Sequence, residues 1–75
     1  GITPEQYWEL LQKQEGKCKI CGYEPSGDEY LHIDHNKETG EIRGLLCGKC
    51  NKALGLLNEQ PKNFVKAIKY IKENR

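Results

Sequence analysis

Apolar residues recur at helical spacing near both ends of this chain and alternate with polar ones in the middle. Tyr7, Leu10 and Leu11, with Trp8 nearby, follow the segment Thr3-Pro4-Glu5-Gln6. That segment is a helix start. Thr3 caps, Pro4 takes the first helical position, where its missing N–H costs nothing, and Gln6 completes a capping box. Gly16 is the stop signal, so the pattern predicts a helix over roughly residues 4–15 whose apolar stripe roofs a small core. At the far end a second helix starts near Pro61, with Phe64, Val65, Ile68 and Ile71 on one face. Lys62, Lys66, Lys69 and Lys72 recur beside that stripe and read either as a solvated face or as a row of phosphate contacts.

Between these helices the period drops to two. Tyr30 to His35 reads as a strand with Leu31 and Ile33 on one side and Tyr30, His32 and Asp34 on the other. Asn36 to Gly40 reads as a turn and Glu41 to Leu46 as a second strand, which makes a hairpin. Pro25, Ser26, Gly27 and Asp28 mark Tyr23 to Glu29 as a loop. A helix starts near Cys47 to Cys50 and carries Asn51, Lys52, Ala53, Leu54, Leu56 and Leu57. Gly55 weakens it by about 1 kcal/mol relative to alanine, a cost that close packing at that position would explain.

Composition sharpens this pattern. The chain has 75 residues, 36% of them apolar, and no methionine. A single domain this small buries little apolar surface and needs a staple. Its four cysteines fall in two C-x-x-C pairs, Cys18/Cys21 and Cys47/Cys50. That spacing is the signature of a tetrahedral structural zinc site, with each pair in a tight knuckle whose backbone amides face the thiolates. A disulfide-stapled extracellular domain is the competing reading. No apolar run resembles a signal peptide or a membrane span, and paired thiols of this kind suit a reducing compartment, so a cytoplasmic setting without membrane contact is expected. Net charge is +1 before metal is counted. Four thiolates and one zinc ion bring it to about −1, which excludes bulk positive charge as the source of any nucleic-acid affinity. Such affinity must come from local lysine patches or a bound divalent ion.

The zinc knuckles bracket the hairpin, and the hairpin carries the candidate chemistry. Asp34 and His35 end the first strand, and Asn51 lies in the helix after the second. A strand-turn-strand-helix unit brings these three around one cavity. The Asp34 carboxylate and the Asn51 amide oxygen are hard ligands suited to Mg²⁺ or Mn²⁺ with open water positions. His35 is a general base whose ordinary pKa of about 6.5 lies near working pH. A base beside a hard metal ion with open positions has the parts needed to hydrolyse a phosphodiester. His35 takes a proton from an in-line water, and the metal stabilises the charge that develops on the phosphate and the leaving oxygen. The products would carry a 5′ phosphate and a 3′ hydroxyl.

The run His32-Ile33-Asp34-His35, then Glu38-Thr39-Gly40-Glu41-Ile42-Arg43-Gly44-Leu45-Leu46-Cys47, then Cys50-Asn51, resembles the recombination endonuclease VII family of HNH, or ββα-metal, nucleases. The resemblance covers roughly residues 16–57. It implies a small α+β zinc-stabilised domain, with a ββα-metal hairpin-helix core and flanking N- and C-terminal helices. One domain would span residues 1–75, its zinc-bracketed core about 18–57. The resemblance further implies structural zinc on Cys18, Cys21, Cys47 and Cys50, a catalytic divalent ion on Asp34 and Asn51, and His35 as base. His32 matches a position where the family can carry a histidine near the active site, and is expected to support or steer substrate. Arg43 matches a recurrent basic position and reads either as a phosphate contact or as an ion pair that shapes the hairpin. The family pattern often reads Asp-His-Asp-His, whereas this chain has Asp34-His35-Asn36-Lys37. Lys37 cannot ligate a metal while charged, so a phosphate contact is expected of it.

The resemblance implies DNA as partner and a bacterial or phage-encoded origin. Longer family members build an intertwined dimer from C-terminal helices. This chain ends after one short helix, so the expectation is a monomer that nicks one strand at a time. No helix carries several long polar side chains for reading bases, so sequence preference should be weak. The alternative is a non-catalytic zinc module that binds nucleic acid or protein and has no use for Asp34 or His35.

Overall fold

The computed structural model describes residues 2–74; the ends of the expected 1–75 domain, Gly1 and Arg75, lie outside the described residues. Its elements in order are α1 (Pro4–Lys13), β1 (His32–His35), β2 (Ile42–Leu46), α2 (Gly48–Leu56) and α3 (Pro61–Glu73). The expected capping box starts α1: the Thr3 hydroxyl accepts from the Gln6 amide at 3.2 Å, and the Thr3 amide donates to Gln6 Oε1 at 2.9 Å. The helix is shorter than expected at its far end. Gln14 caps it, and Glu15 and Gly16 both adopt left-handed backbone as the Gly16 amide reaches back to the Leu11 carbonyl at 2.8 Å. Glycine takes that conformation freely, but Glu15 must share it, so the stop begins before the residue that signals it.

The hairpin is antiparallel, with His32 opposite Leu46, Ile33 opposite Leu45, Asp34 opposite Gly44 and His35 opposite Ile42. Both strands are shorter than the alternation predicts. Tyr30 is 68% exposed and lies outside β1, while Leu31 is buried just before it. The turn is held by Asn36, whose side-chain oxygen accepts from the amides of Glu38 and Thr39 at 2.8 and 3.2 Å. The register skips one residue, Arg43, which has no opposite number in β1. Such a bulge bends its strand and re-aims the neighbouring side chains.

Five residues form the buried core: Cys18, Leu31, Leu45, Leu46 and Cys47. Tyr7, Leu10, Leu11, Ile33, Cys50 and Leu54 pack against it, so α1 roofs the core as its stripe requires. Two polar clamps fix that roof. The Tyr7 hydroxyl donates to the Leu31 carbonyl at 2.8 Å. The Gln14 side chain accepts from the Leu45 amide and donates to the Leu45 carbonyl, both at 2.9 Å, as a neighbouring strand would. Gly44, opposite Asp34, is where the chain crosses closest: a Cβ there would lie 2.8 Å from the Lys19 side chain. The close packing expected at Gly55 is absent, since a Cβ there meets nothing within 4 Å.

Among the described residues, α3 makes no close backbone approach to any other element. Its stripe remains in solvent, with Val65, Ile68 and Ile71 all more than half exposed.

Candidate active site and metal centre

The two C-x-x-C pairs converge from opposite ends of the hairpin unit. Cys18 and Cys21 lie in the turn after α1, and Cys47 and Cys50 lie at the start of α2, with Cys47 as its cap residue. The four sulfurs all lie within 4.8 Å of one another, and Cys21 Sγ is 3.7 Å from Cys47 Sγ. A tetrahedron of thiolates around an ion with bonds of about 2.3 Å has edges of about 3.8 Å. The cluster therefore fits a single metal ion. Its thiols are unequal. Burial pushes the Cys18 thiol up, but backbone amides of Cys21, Cys47 and Ile20 together outweigh it and bring it down to about 6. Burial, and then donation to Cys21, Cys47 and Cys18, push Cys50 up to about 12. One cysteine is already a thiolate at neutral pH, and another keeps its proton until a cation displaces it.

In a separate place, Ile33, Asp34 and His35 line a single cavity of about 250 Å³ together with Lys37, Asn51, Leu54, Gly55 and Glu59. Three consecutive residues of a regular strand would not share one cavity, because their side chains alternate. The bulge opposite them breaks that alternation and lets Asp34 and His35 face the same space as Asn51 of α2. Asp34 is mostly covered, with its side chain 12% exposed, and His35 is exposed.

The bulged residue turns its own side chain onto this site. Arg43 Nε donates to Asp34 Oδ2 at 2.7 Å, and its Nη2 donates to Asp34 Oδ1 at 3.0 Å. The same Nη2 donates to Glu59 Oε1 at 2.6 Å, and the other Glu59 oxygen pairs with Lys37 Nζ at 3.2 Å. These bonds, Asp34 first and Glu59 second, hold the Arg43 guanidinium charged well above its ordinary range. Arg43 and then Lys37 hold the Glu59 carboxyl below its own. Of the two readings of Arg43, the structure shows the ion pair.

His32 does not join this group. Its ring lies 5.2 Å from that of Tyr30 and lines a different cavity with Tyr23, Pro25, Glu29, Cys47 and Gly48. It is also outside the thiol cluster. Sequence reasoning overlooked Glu59. It follows the last turn of α2, its amide bonded to the Leu54 carbonyl at 2.8 Å, and its partners lie far from it in sequence, so no local spacing signals it.

A family model described as recombination endonuclease VII matches residues 1–73. The chain belongs to the recombination endonuclease VII family. The chain is also similar to the gene 59 proteins of two mycobacteriophages. That of phage L5 is 40% identical over 72 residues, covering 95% of this chain and 44% of its own length. That of phage D29 is 39% identical over 74 residues, covering 97% and 45%. The chain thus spans less than half the length of these relatives. Among solved structures, the β-β-α-Me type II restriction endonuclease Hpy99I superposes with a TM-score of 0.70 at 28% identity, covering 89% of this chain and 42% of that one. The fold is accordingly a small α+β, ββα-metal domain, its hairpin followed by the helix that carries Asn51. No helix among the described residues is long and apolar enough to cross a membrane.

Proposed function

We propose that this endonuclease VII family domain is an HNH-type, metal-dependent DNA endonuclease that nicks one strand at a time with little sequence preference. The observation that carries the reading is that Asp34, His35 and Asn51, drawn from two elements, line one small cavity open to solvent. The cysteine cluster holds a structural zinc ion, the metal best suited to four thiolates in a tetrahedron. Asp34 and Asn51 offer one carboxylate and one amide oxygen, a hard pair that fits Mg²⁺ or Mn²⁺. A divalent ion bound there supplies charge stabilisation at the phosphate and the leaving oxygen.

The residues of the chain do the rest. His35 accepts a proton on an imidazole nitrogen from the attacking water, which its exposure permits. Lys37 lines the same cavity and carries a largely exposed ammonium group that can meet a phosphate oxygen. The lysines of α3, all exposed, offer further backbone contacts along a duplex. Cleavage leaves a 5′ phosphate and a 3′ hydroxyl.

The test is conversion of supercoiled plasmid to open circles by zinc-loaded protein, with Mg²⁺, with Mn²⁺ and with neither, beside His35→Ala. Metal-dependent nicking that the variant lacks is the expected result. A folded, zinc-loaded protein that fails to cut with either ion is instead a zinc-dependent binding module.

A further inference from the structure

The carboxylate assigned to the divalent ion is already engaged by a cation of the chain itself. Arg43 grips both Asp34 oxygens in the parallel two-bond geometry that makes guanidinium–carboxylate pairs strong and specific. Resting on the reading that Asp34 and Asn51 hold a catalytic divalent ion, we infer that Arg43 and Glu59 are a positioning pair that governs loading of that ion. Arg43 is the resident cation of the site. The incoming ion displaces its guanidinium from Asp34, and Glu59 retains it.

Four observations support the exchange. A divalent ion and a guanidinium on one carboxylate repel each other, so Arg43 in its present grip opposes binding. The guanidinium need not be stranded when it lets go, because its Nη2 is already 2.6 Å from Glu59 Oε1. It also has room, since its side chain is 39% exposed and lines a second cavity of about 410 Å³ with Asn36, Lys37, Glu38, Asn58 and Glu59. The backbone need not move: the Arg43 carbonyl is held by Lys19 Nζ at 3.0 Å, and the bulge leaves the residue free of a cross-strand partner.

Glu59 is built as a fixed acceptor. It and Asn58 both sit in the left-handed region, at φ of 53° and 55°, a conformation that asparagine tolerates but glutamate does not favour. That turn brings the Glu59 carboxylate back over the hairpin to bridge Arg43 and Lys37. The four charges alternate in sign from Asp34 through Arg43 and Glu59 to Lys37, so the site stays nearly neutral until the divalent ion arrives.

The experiment is Mn²⁺ binding to the zinc-loaded protein by titration calorimetry, comparing wild type with Arg43→Lys, Glu59→Gln and Asp34→Asn. Arg43→Lys keeps the charge but loses the two-bond grip, so it should bind Mn²⁺ about fivefold tighter or better. A lysine variant that binds Mn²⁺ no more tightly than wild type, while Asp34→Asn abolishes binding, overturns the exchange and leaves the metal site standing. Wild-type affinity in Asp34→Asn overturns both. Glu59→Gln removes the charge of the acceptor and should weaken binding. A second readout follows the wild-type side chain directly. The chain has two arginines, Arg43 and Arg75, so its arginine Nε–H spectrum is simple, and Arg43→Lys assigns it. The Arg43 Nε–H signal should move on titration with diamagnetic Mg²⁺ as its Asp34 bond is lost. An unmoved signal at saturating Mg²⁺ overturns the inference even if a variant fails to fold.

Discussion

The cysteine cluster and the Asp34 cavity, proposed to take a divalent ion, lie on one hairpin unit and are prepared in opposite ways. The cysteine cluster is gathered and buried, with Cys18 and Cys47 forming part of the core itself. The Asp34 cavity is open, and its carboxylate is held by a guanidinium. The difference teaches that a structural site and a working site ask different things of a fold. The first must bind once and contribute to folding. On the proposed reading the second would bind, release and admit substrate, and the Arg43 guanidinium on Asp34 keeps that carboxylate paired.

The largest effect should come from breaking the cysteine end. Cys47→Ser, or prolonged chelation, should unfold the domain, because five of the described residues form its buried core, two of them are metal-ligand candidates, and structural zinc sites contribute on the order of 10 kcal/mol. Loss of the helical circular-dichroism signal measures this, and a cooperative thermal transition retained in chelator would contradict it. His35→Ala should do the reverse: zinc content and melting temperature stay at wild-type values while the nicking rate falls by about 10²–10⁴. If both fall together, the two ends are not separable.

A pH experiment sharpens the same contrast. Zinc uptake should release protons near neutrality, at least that of Cys50, which is held at about 12. Cys18 sits at about 6, so it is deprotonated above that value and protonated below it, and zinc affinity should fall more steeply with acidification once pH drops through that region. Calorimetric titrations in buffers of different ionisation heat would read the proton count, and a count of zero at pH 7 would contradict the thiol assignment. The smallest effect belongs to Glu59. Its folded carboxyl titrates below the ordinary value because Arg43 and then Lys37 stabilise the charged form. Its stabilising contribution is therefore present above the ordinary carboxyl range and lost as pH falls through the lowered value. The melting-temperature gap between wild type and Glu59→Gln should be small at neutral pH and close on acidification; a gap that widens would reverse the sign.

The elements that were legible in sequence are those whose signals are local. The capping box of Thr3 and Gln6, the start at Pro61, the knuckle spacing and the Asn36 turn each act over four residues or fewer, and each is in the structure. What the pattern missed depends on register. Alternation assigns faces only if pairing is regular, and the extra residue at Arg43 changes it at the point where Asp34 and His35 emerge. At the same bulge the Arg43 side chain forms the ion pair with Asp34, one of the two roles its chemistry left even. Glu59 was invisible because its partners, Arg43 and Lys37, lie far from it in sequence, while His32 lines a different cavity, beside a tilted Tyr30 ring. The apolar stripe of α3 was read correctly as a stripe, but a stripe does not name what it faces.

The Gln14 side chain closes a different kind of gap. A two-stranded sheet has two open edges, and each unpaired amide and carbonyl is an invitation to strand addition by another chain. At Leu45, the most deeply buried residue of β2, both groups are spoken for by one glutamine amide, with the Lys19 amide also donating to the carbonyl. The hairpin thus carries a one-residue imitation of a third strand, which denies that edge to self-association without the length of chain a real strand would need.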